Sequence, residues 1–159
     1  MIGFIGIDLG QKGALTLQTK LPGQKPKWTI YPFFTRHGEE TRQRTILEIE
    51  LYELLKNITR VCPNLYIAIE RPMMIPGNGK KAIASLFQNY GLVKGILTGL
   101  GHTDIWTPTP MQWKKVANAP GKDKTEMLVK ASKIAKAPNL SPITADSVLI
   151  CEACRLYYQ

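Results

Sequence analysis

The alternation of apolar and polar positions divides the chain into short β-branched runs and longer runs of helical period. Residues 2–8 and 13–19 are short and apolar, which predicts two strands joined by the glycine turn Gly10-Gln11-Lys12-Gly13. Residues 27–34 predict a third strand after Pro22-Gly23-Gln24-Lys25-Pro26. Pro32 puts that strand at a sheet edge, because proline has no N–H to give to a ladder. Residues 35–44 are polar and predict a loop. From Thr45 to Val61, Ile46, Leu47, Ile49, Leu51, Leu54, Leu55 and Ile58 keep helical spacing, and Cys62-Pro63-Asn64 stops the run.

A fourth strand follows at 65–70 and ends at Arg71-Pro72. Residues 73–81 form a basic loop containing glycine and proline. A second helix, about Ala82 to Gly101, is apolar on one side through Leu86, Leu92, Val93, Ile96 and Leu97. Its glycines, Gly91, Gly95 and Gly99, recur every four residues and so share one face. That spacing permits a close helix contact, to another helix or to the chain's own sheet. Thr103 to Trp106 predicts a fifth strand. Short helices follow at Met111 to Val116 and Lys124 to Lys136, with a basic turn, Gly121-Lys122-Asp123-Lys124, between them. Ser141-Pro142 has the form of an N-cap and first helical position, opening a last helix that runs to about Tyr157. Three consecutive strands suggest an antiparallel meander, and later strands separated by helices suggest parallel pairing by right-handed crossovers. The expected architecture is α/β, a mixed five-stranded sheet with helices on its faces, in a single domain over residues 1–159. The first and fourth strands are then parallel central neighbours.

Three acids stand at the ends of apolar runs: Asp8 after Ile5-Gly6-Ile7, Glu70 after Tyr66-Ile67-Ala68-Ile69, and Asp146 ahead of Ser147-Val148-Leu149-Ile150. A carboxylate at the end of a buried strand is costly unless it meets something positive. Parallel neighbours present their ends on the same side, so Asp8 and Glu70 are expected together, with Asp146 joining from a helix. Converging like charges repel, and a divalent cation relieves the repulsion. The expected metal is Mg²⁺, with Asp8, Glu70 and Asp146 as ligands.

Charge supplies the substrate class. Lys plus Arg is 21 and Asp plus Glu is 12, a formal net charge of +9. A basic chain with a small acidic cluster suits a polyanionic substrate, although a generally basic surface is the plainer alternative. Cys151 and Cys154 sit three apart within an apolar helical pattern, and Cys62 stands alone. With His37 and His102 unpaired and distant in sequence, buried packing is a better reading of these thiols than zinc. No run reaches the length of a membrane span and no signal peptide is evident, so a reducing, cytoplasmic location without membrane contact is expected.

The order of elements and acids resembles the ribonuclease H-like nucleases, and within them the RuvC-type Holliday junction resolvases of the phage, bacterial and organellar branches. Gly6-Ile7-Asp8-Leu9-Gly10-Gln11-Lys12-Gly13 is similar to that family's first motif, Ile69-Glu70-Arg71-Pro72 to its second, and Ala145-Asp146-Ser147-Val148-Leu149 to its last. Asn89-Tyr90-Gly91 resembles its helix after the glutamate, and Trp113-Lys114-Lys115 with Gly121-Lys122-Asp123-Lys124 resembles its W-K and G-K-x-K elements. The resemblance implies a homodimer making paired symmetric nicks in four-way DNA junctions, in the cytoplasm, at the nucleoid, or in an organelle matrix or phage host. It implies catalysis by Asp8, Glu70, Asp146 and Lys124 with Mg²⁺, or Mn²⁺ as substitute. Asp8 would bridge two ions, Glu70 would hold the ion nearer the leaving group, and Asp146 the other.

Lys124 would orient the attacking water or neutralise the scissile phosphate; otherwise it is a solvated lysine at a helix start. DNA contacts are expected from Arg71, Lys80, Lys81, Lys114, Lys115 and Lys122, which supply affinity rather than sequence reading. Phe87 and Tyr90 either stack on unpaired bases or belong to the helix core. Arg71 either meets phosphate or balances the acids. One departure stands out. The family usually carries a second carboxylate one turn before the final aspartate, where this chain has Pro142 and Ile143. Glu152 lies six residues beyond Asp146, and at about 100° per residue it points away from it. Two other readings follow: a silent module that binds branched DNA without cutting, and a broader fork and flap endonuclease. An actin- or hexokinase-like ATPase shares the Gly-Ile-Asp-Leu-Gly opening but needs two such domains.

Overall fold

The computed structural model describes residues 1–9, 13–33, 35–37, 44–46, 48–74, 79–119, 121 and 123–159. The glycine turn at 10–12, the loop tip at 75–78 and Lys122 lie outside the described residues. Strands β1 (Ile2–Asp8), β2 (Ala14–Lys20), β3 (Lys27–Pro32), β6 (Asn64–Ile69) and β7 (Ile105–Trp106) form one sheet in the order β3-β2-β1-β6-β7. β1 is antiparallel to β2 and parallel to β6, β2 is antiparallel to β3, and β6 is parallel to β7. This is the expected mixed five-stranded sheet, with the strand that contains Pro32 at its edge. Helix α5 (Ala145–Tyr158) lies against β1, β2 and β6 and is backed by α3 (Pro110–Val116) and α4 (Lys124–Ala135). Helices α1 (Glu48–Val61) and α2 (Lys80–Gly99) contribute to the core of the opposite face. Among the described residues no helix is long and apolar enough to cross a membrane.

The pleat assigns residues to faces. Phe4 joins the core around α5, whereas Ile5 and Ile7 join the core of α1 and α2. Side chains alternate along a strand, so Gly6 and Asp8 share the α5 face with Phe4. Gly6 is the point of closest approach. A Cβ there would lie 2.1 Å from the backbone nitrogen of Cys151 and 2.5 Å from the carbonyl oxygen of Ser147. Only glycine lets the helix backbone rest directly on the strand. Polar ties hold it there. The Ser147 hydroxyl donates to the Thr144 carbonyl at 2.9 Å, which leaves the Thr16 hydroxyl of β2 to donate to Ser147 Oγ at 2.8 Å. Cys151 Sγ donates to the Phe4 carbonyl at 3.2 Å, and Cys151 and Cys154 are both fully buried, as the packing reading of these cysteines expects. Gly13 is constrained in the same way, because a Cβ would meet the Asp8 carbonyl oxygen at 2.2 Å.

Three expectations need correction. The polar segment after β3 is not all loop. Thr35–His37 (β4) pairs antiparallel with Arg44–Ile46 (β5), so Thr45 and Ile46 are strand and α1 starts at Glu48. β-Branched residues suit that pairing, and the acidic first turn, Glu48 and Glu50, suits a helix N-terminus. Ile49, one of the positions that keep helical spacing, is exposed. Second, α5 begins at Ala145 and not at Ser141-Pro142. The Ser141 hydroxyl accepts from Ile143 N at 3.2 Å and its carbonyl from Thr144 N at 3.0 Å, closing a separate turn before the helix. Third, the fifth strand is reduced to Ile105–Trp106. The glycine stripe of α2 does not rest on the sheet, since a Cβ at Gly91, Gly95 or Gly99 would meet nothing within 4 Å.

The Gly6 contact makes a sharp prediction. Gly6→Ala forces α5 off β1 because both opposing atoms are backbone, and urea unfolding will show a loss of about 1–3 kcal/mol, the usual cost of overpacking. Unchanged stability would mean that the helix does not rest on this residue.

Candidate active site

The site is built at the carboxyl ends of β1 and β6. The register pairs Ile7 with Ile69, so the next residues, Asp8 and Glu70, leave adjacent strands together. Glu70 N–H donates to the Ile7 carbonyl at 3.0 Å and continues the ladder one step past β6. Ala68 lies in the α5 core, so the period of two places Glu70 on the same face as Asp8. Asp146 enters from the first turn of α5, one residue before Ser147, whose carbonyl faces Gly6. Asp8 and Asp146 both lie near enough to Glu70 for their charges to act on it.

Their electrostatics follow from this placement. Burial, with the charges of Asp8 and, more weakly, Asp146, pushes the Glu70 carboxyl up to about 7. A hydrogen bond from Trp113 and the charge of Lys114 act in the opposite direction. Burial also raises Asp146, offset by the ammonium groups of Lys114 and Lys124. Lys114 thus acts on two of the acids, and Lys124, exposed at the start of α4, on one. Asp123 caps that helix by accepting from Thr125 N at 2.8 Å and Glu126 N at 3.1 Å, which sets where Lys124 begins.

Trp113 carries part of the W-K resemblance, but the sequence reading gave it no role at this site. Its indole N–H donates to Glu70 Oε2 at 2.6 Å. Trp113 is buried, and a buried indole must find an acceptor, so the signal available in the sequence was a Trp in the W-K element whose N–H needed a partner. Lys114 follows it, lies over the indole ring at 5.5 Å, and donates to the Gly121 carbonyl at 3.0 Å.

The remaining expected residues divide. Arg71 is exposed beside Glu70, and its N–H donates to the Pro108 carbonyl at 2.8 Å. Lys80 and Lys81 are exposed in the first turn of α2, and Lys115 is exposed on α3. Phe87 is 44% exposed, whereas Tyr90 packs on the core with Lys94 over its ring at 5.9 Å. Pro142 and Ile143 stand exposed in the turn before α5. Glu152 is committed to Arg155, with contacts of 2.6 and 2.9 Å.

Among the described residues, no group of three or more His, Cys, Asp and Glu side chains is drawn tight enough to hold an ion. The donor chemistry nonetheless fits a hard divalent cation: only partly buried carboxylate oxygens, with Glu70 and Asp146 raised by burial and Glu70 also by its two acidic neighbours. No protein-family model and no curated protein matches the chain. Solved structures do. A Thermus thermophilus RuvC structure matches over 99% of this chain and 95% of its own, with a TM-score of 0.68 and 16% identity. T. thermophilus RuvC in complex with Holliday junction substrate matches over the same shares, with a TM-score of 0.70 and 16% identity.

The raised Glu70 carboxyl has a stability consequence. Its folded value lies above its ordinary value of 4.5, so its favourable contribution is complete below pH 4.5 and is lost as pH rises through about 7. In metal-free protein, urea unfolding will therefore show Glu70→Gln gaining on the parent by roughly 2 kcal/mol between those pH values. A constant difference across the range would remove the buried-carboxylate account. From sheet order to helix placement, the chain has the ribonuclease H-like fold of RuvC.

Proposed function

We propose that this protein is a divalent-metal-dependent endonuclease that resolves four-way DNA junctions. The observation that carries the reading is the convergence of Asp8 and Glu70, from parallel neighbouring strands, with Asp146 from the helix that crosses them. The likeness in fold to RuvC, one structure of which holds a Holliday junction substrate, supplies the substrate class. Asp8, Glu70 and Asp146 would hold Mg²⁺, or Mn²⁺ in its place. Bound there, the metal would supply an activated water and neutralise charge on the phosphodiester. The protein's own groups do the rest. The carboxylates would hold the cation that meets the reacting phosphate, and Lys124, whose charge already acts on Asp146, neutralises the phosphate or orients the water. Lys114, Lys115, Lys80, Lys81 and Arg71 contact the DNA backbone, with Lys122 assigned to the same role from its sequence position. Phe87 is the better candidate for stacking on an unpaired base, since Tyr90 packs on the core. A four-way junction presents two symmetric strands, so paired nicks call for a two-fold dimer. The open glycine face of α2 is compatible with such an interface.

A second reading has its own observation. Glu152 is paired with Arg155, and the position one turn before Asp146 holds Pro142 and Ile143 outside the helix. With three acids, the protein would bind branched DNA without cutting it. Cleavage of a labelled synthetic four-way junction in Mg²⁺, beside linear duplex and fork, separates the two. Symmetric nicks in the junction, abolished by Asp8→Asn with junction binding retained, are the expected result. Tight binding without cleavage in Mg²⁺ or Mn²⁺ would establish the silent module, and equal cutting of forks would broaden the substrate. Raising salt from about 50 to 200 mM is expected to weaken binding by orders of magnitude, as contacts to several phosphates require. A flat salt response would remove the basic surface as the DNA footprint.

A further inference from the structure

We infer that Trp113 is a positioning residue for Glu70, holding one carboxylate oxygen so that the other is aimed at the cation; the inference rests on the nuclease reading above. An indole N–H can only donate. Its 2.6 Å bond occupies one lone pair of Glu70 Oε2 and fixes the carboxylate against α3, which leaves Oε1 the freer oxygen for a cation. The grip is reinforced through the backbone. The Arg71 N–H, next in sequence to Glu70, donates to the Pro108 carbonyl at 2.8 Å. One residue later Thr109 opens α3 with a capping box, its hydroxyl accepting from Gln112 N at 3.3 Å while Gln112 Oε1 accepts from Thr109 N at 2.8 Å. Pro110 then takes the first turn, where a missing N–H costs nothing. The short helix is thus tied to Glu70 by the Trp113 side chain, and the segment leading into it to the backbone of the adjacent Arg71.

Trp113 also ties Glu70 to Asp146. The indole is 1% exposed and shares one core cluster with Ala145, Val148 and Leu149 of α5, the helix that carries Asp146. Two acids from different elements are therefore referenced to the same buried ring. Lys114, over the face of that ring, adds a positive charge that acts on both carboxyls. Partners that orient metal-binding carboxylates in this way typically change divalent affinity about 10–100-fold when removed.

A role limited to core packing is separated by an isostere. Substituting Trp113 with benzothienylalanine puts sulfur in place of the N–H and keeps the size of the ring. Calorimetric titration of the full chain with Mn²⁺, without DNA, is expected to show affinity weakened about tenfold or more in a protein that still unfolds cooperatively. Trp113→Phe is expected to lose Mn²⁺ affinity to the same extent. In ¹⁵N-indole spectra of the metal-free protein, the Trp113 resonance is expected to move in Glu70→Gln. Wild-type Mn²⁺ affinity in the isostere, or an indole resonance indifferent to Glu70→Gln, would overturn the assignment while leaving the nuclease reading intact. Absence of Mn²⁺ binding that depends on Asp8 in the parent protein would overturn the nuclease reading, and the role of Trp113 with it.

Discussion

The contact between the backbone of α5 and Gly6 of β1 is the constraint on which the rest of the site depends. Any side chain at that position would collide with backbone atoms of Ser147 and Cys151, so the separation of strand and helix is set by the absence of a Cβ. Two consequences follow from simple periodicity. Asp8 lies two residues beyond Gly6 and faces the same way, and Asp146 lies one residue before Ser147 at the start of the helix. The parallel register then adds Glu70 beside Asp8. One close approach and one register bring carboxylates from three separate parts of the chain to the same end of the sheet.

Bringing them together has an energetic cost that the surroundings offset only in part. Burial and mutual repulsion lift Glu70 to about 7, so near neutrality it is poised between protonated and charged. Trp113, Lys114 and Lys124 favour the charged forms without cancelling the repulsion. A site held in this state is predisposed to take up a positive partner, and a divalent cation among carboxylate oxygens meets the requirement most directly. The cluster thus disfavours the metal-free fold. Groups that stabilise the fold alone, such as the Thr16–Ser147 pair and the Cys151 thiol, lie farther along the same helix face.

Much of this was legible in the sequence because it depends on local patterns. Strand ends marked by Asp8 and Glu70, the edge position required by Pro32, and a helix that carries Asp146 follow from periods of two and of about 3.6 residues and from proline's missing N–H. What was not legible depends on contacts distant in sequence. The apolar spacing from Ile46 onward reads as helix, yet Thr45 and Ile46 pair with a strand ten residues away. Ser141-Pro142 has the right chemistry for a helix start, but the bonds that close a turn at Thr144 compete with it. Glycine at position 6 is visible as a motif residue, whereas the reason for it lies in residues 147 and 151. The Trp113–Glu70 bond spans 43 residues, and only the general need of a buried indole for an acceptor hinted at it.

The central claim is that Asp8, Glu70 and Asp146 together form one divalent-cation site. Anomalous scattering from a crystal grown with Mn²⁺ tests it most directly. The account predicts a Mn²⁺ peak within coordination distance of carboxylate oxygens from all three residues. A peak bound elsewhere, or none among these carboxylates at millimolar Mn²⁺, would contradict it.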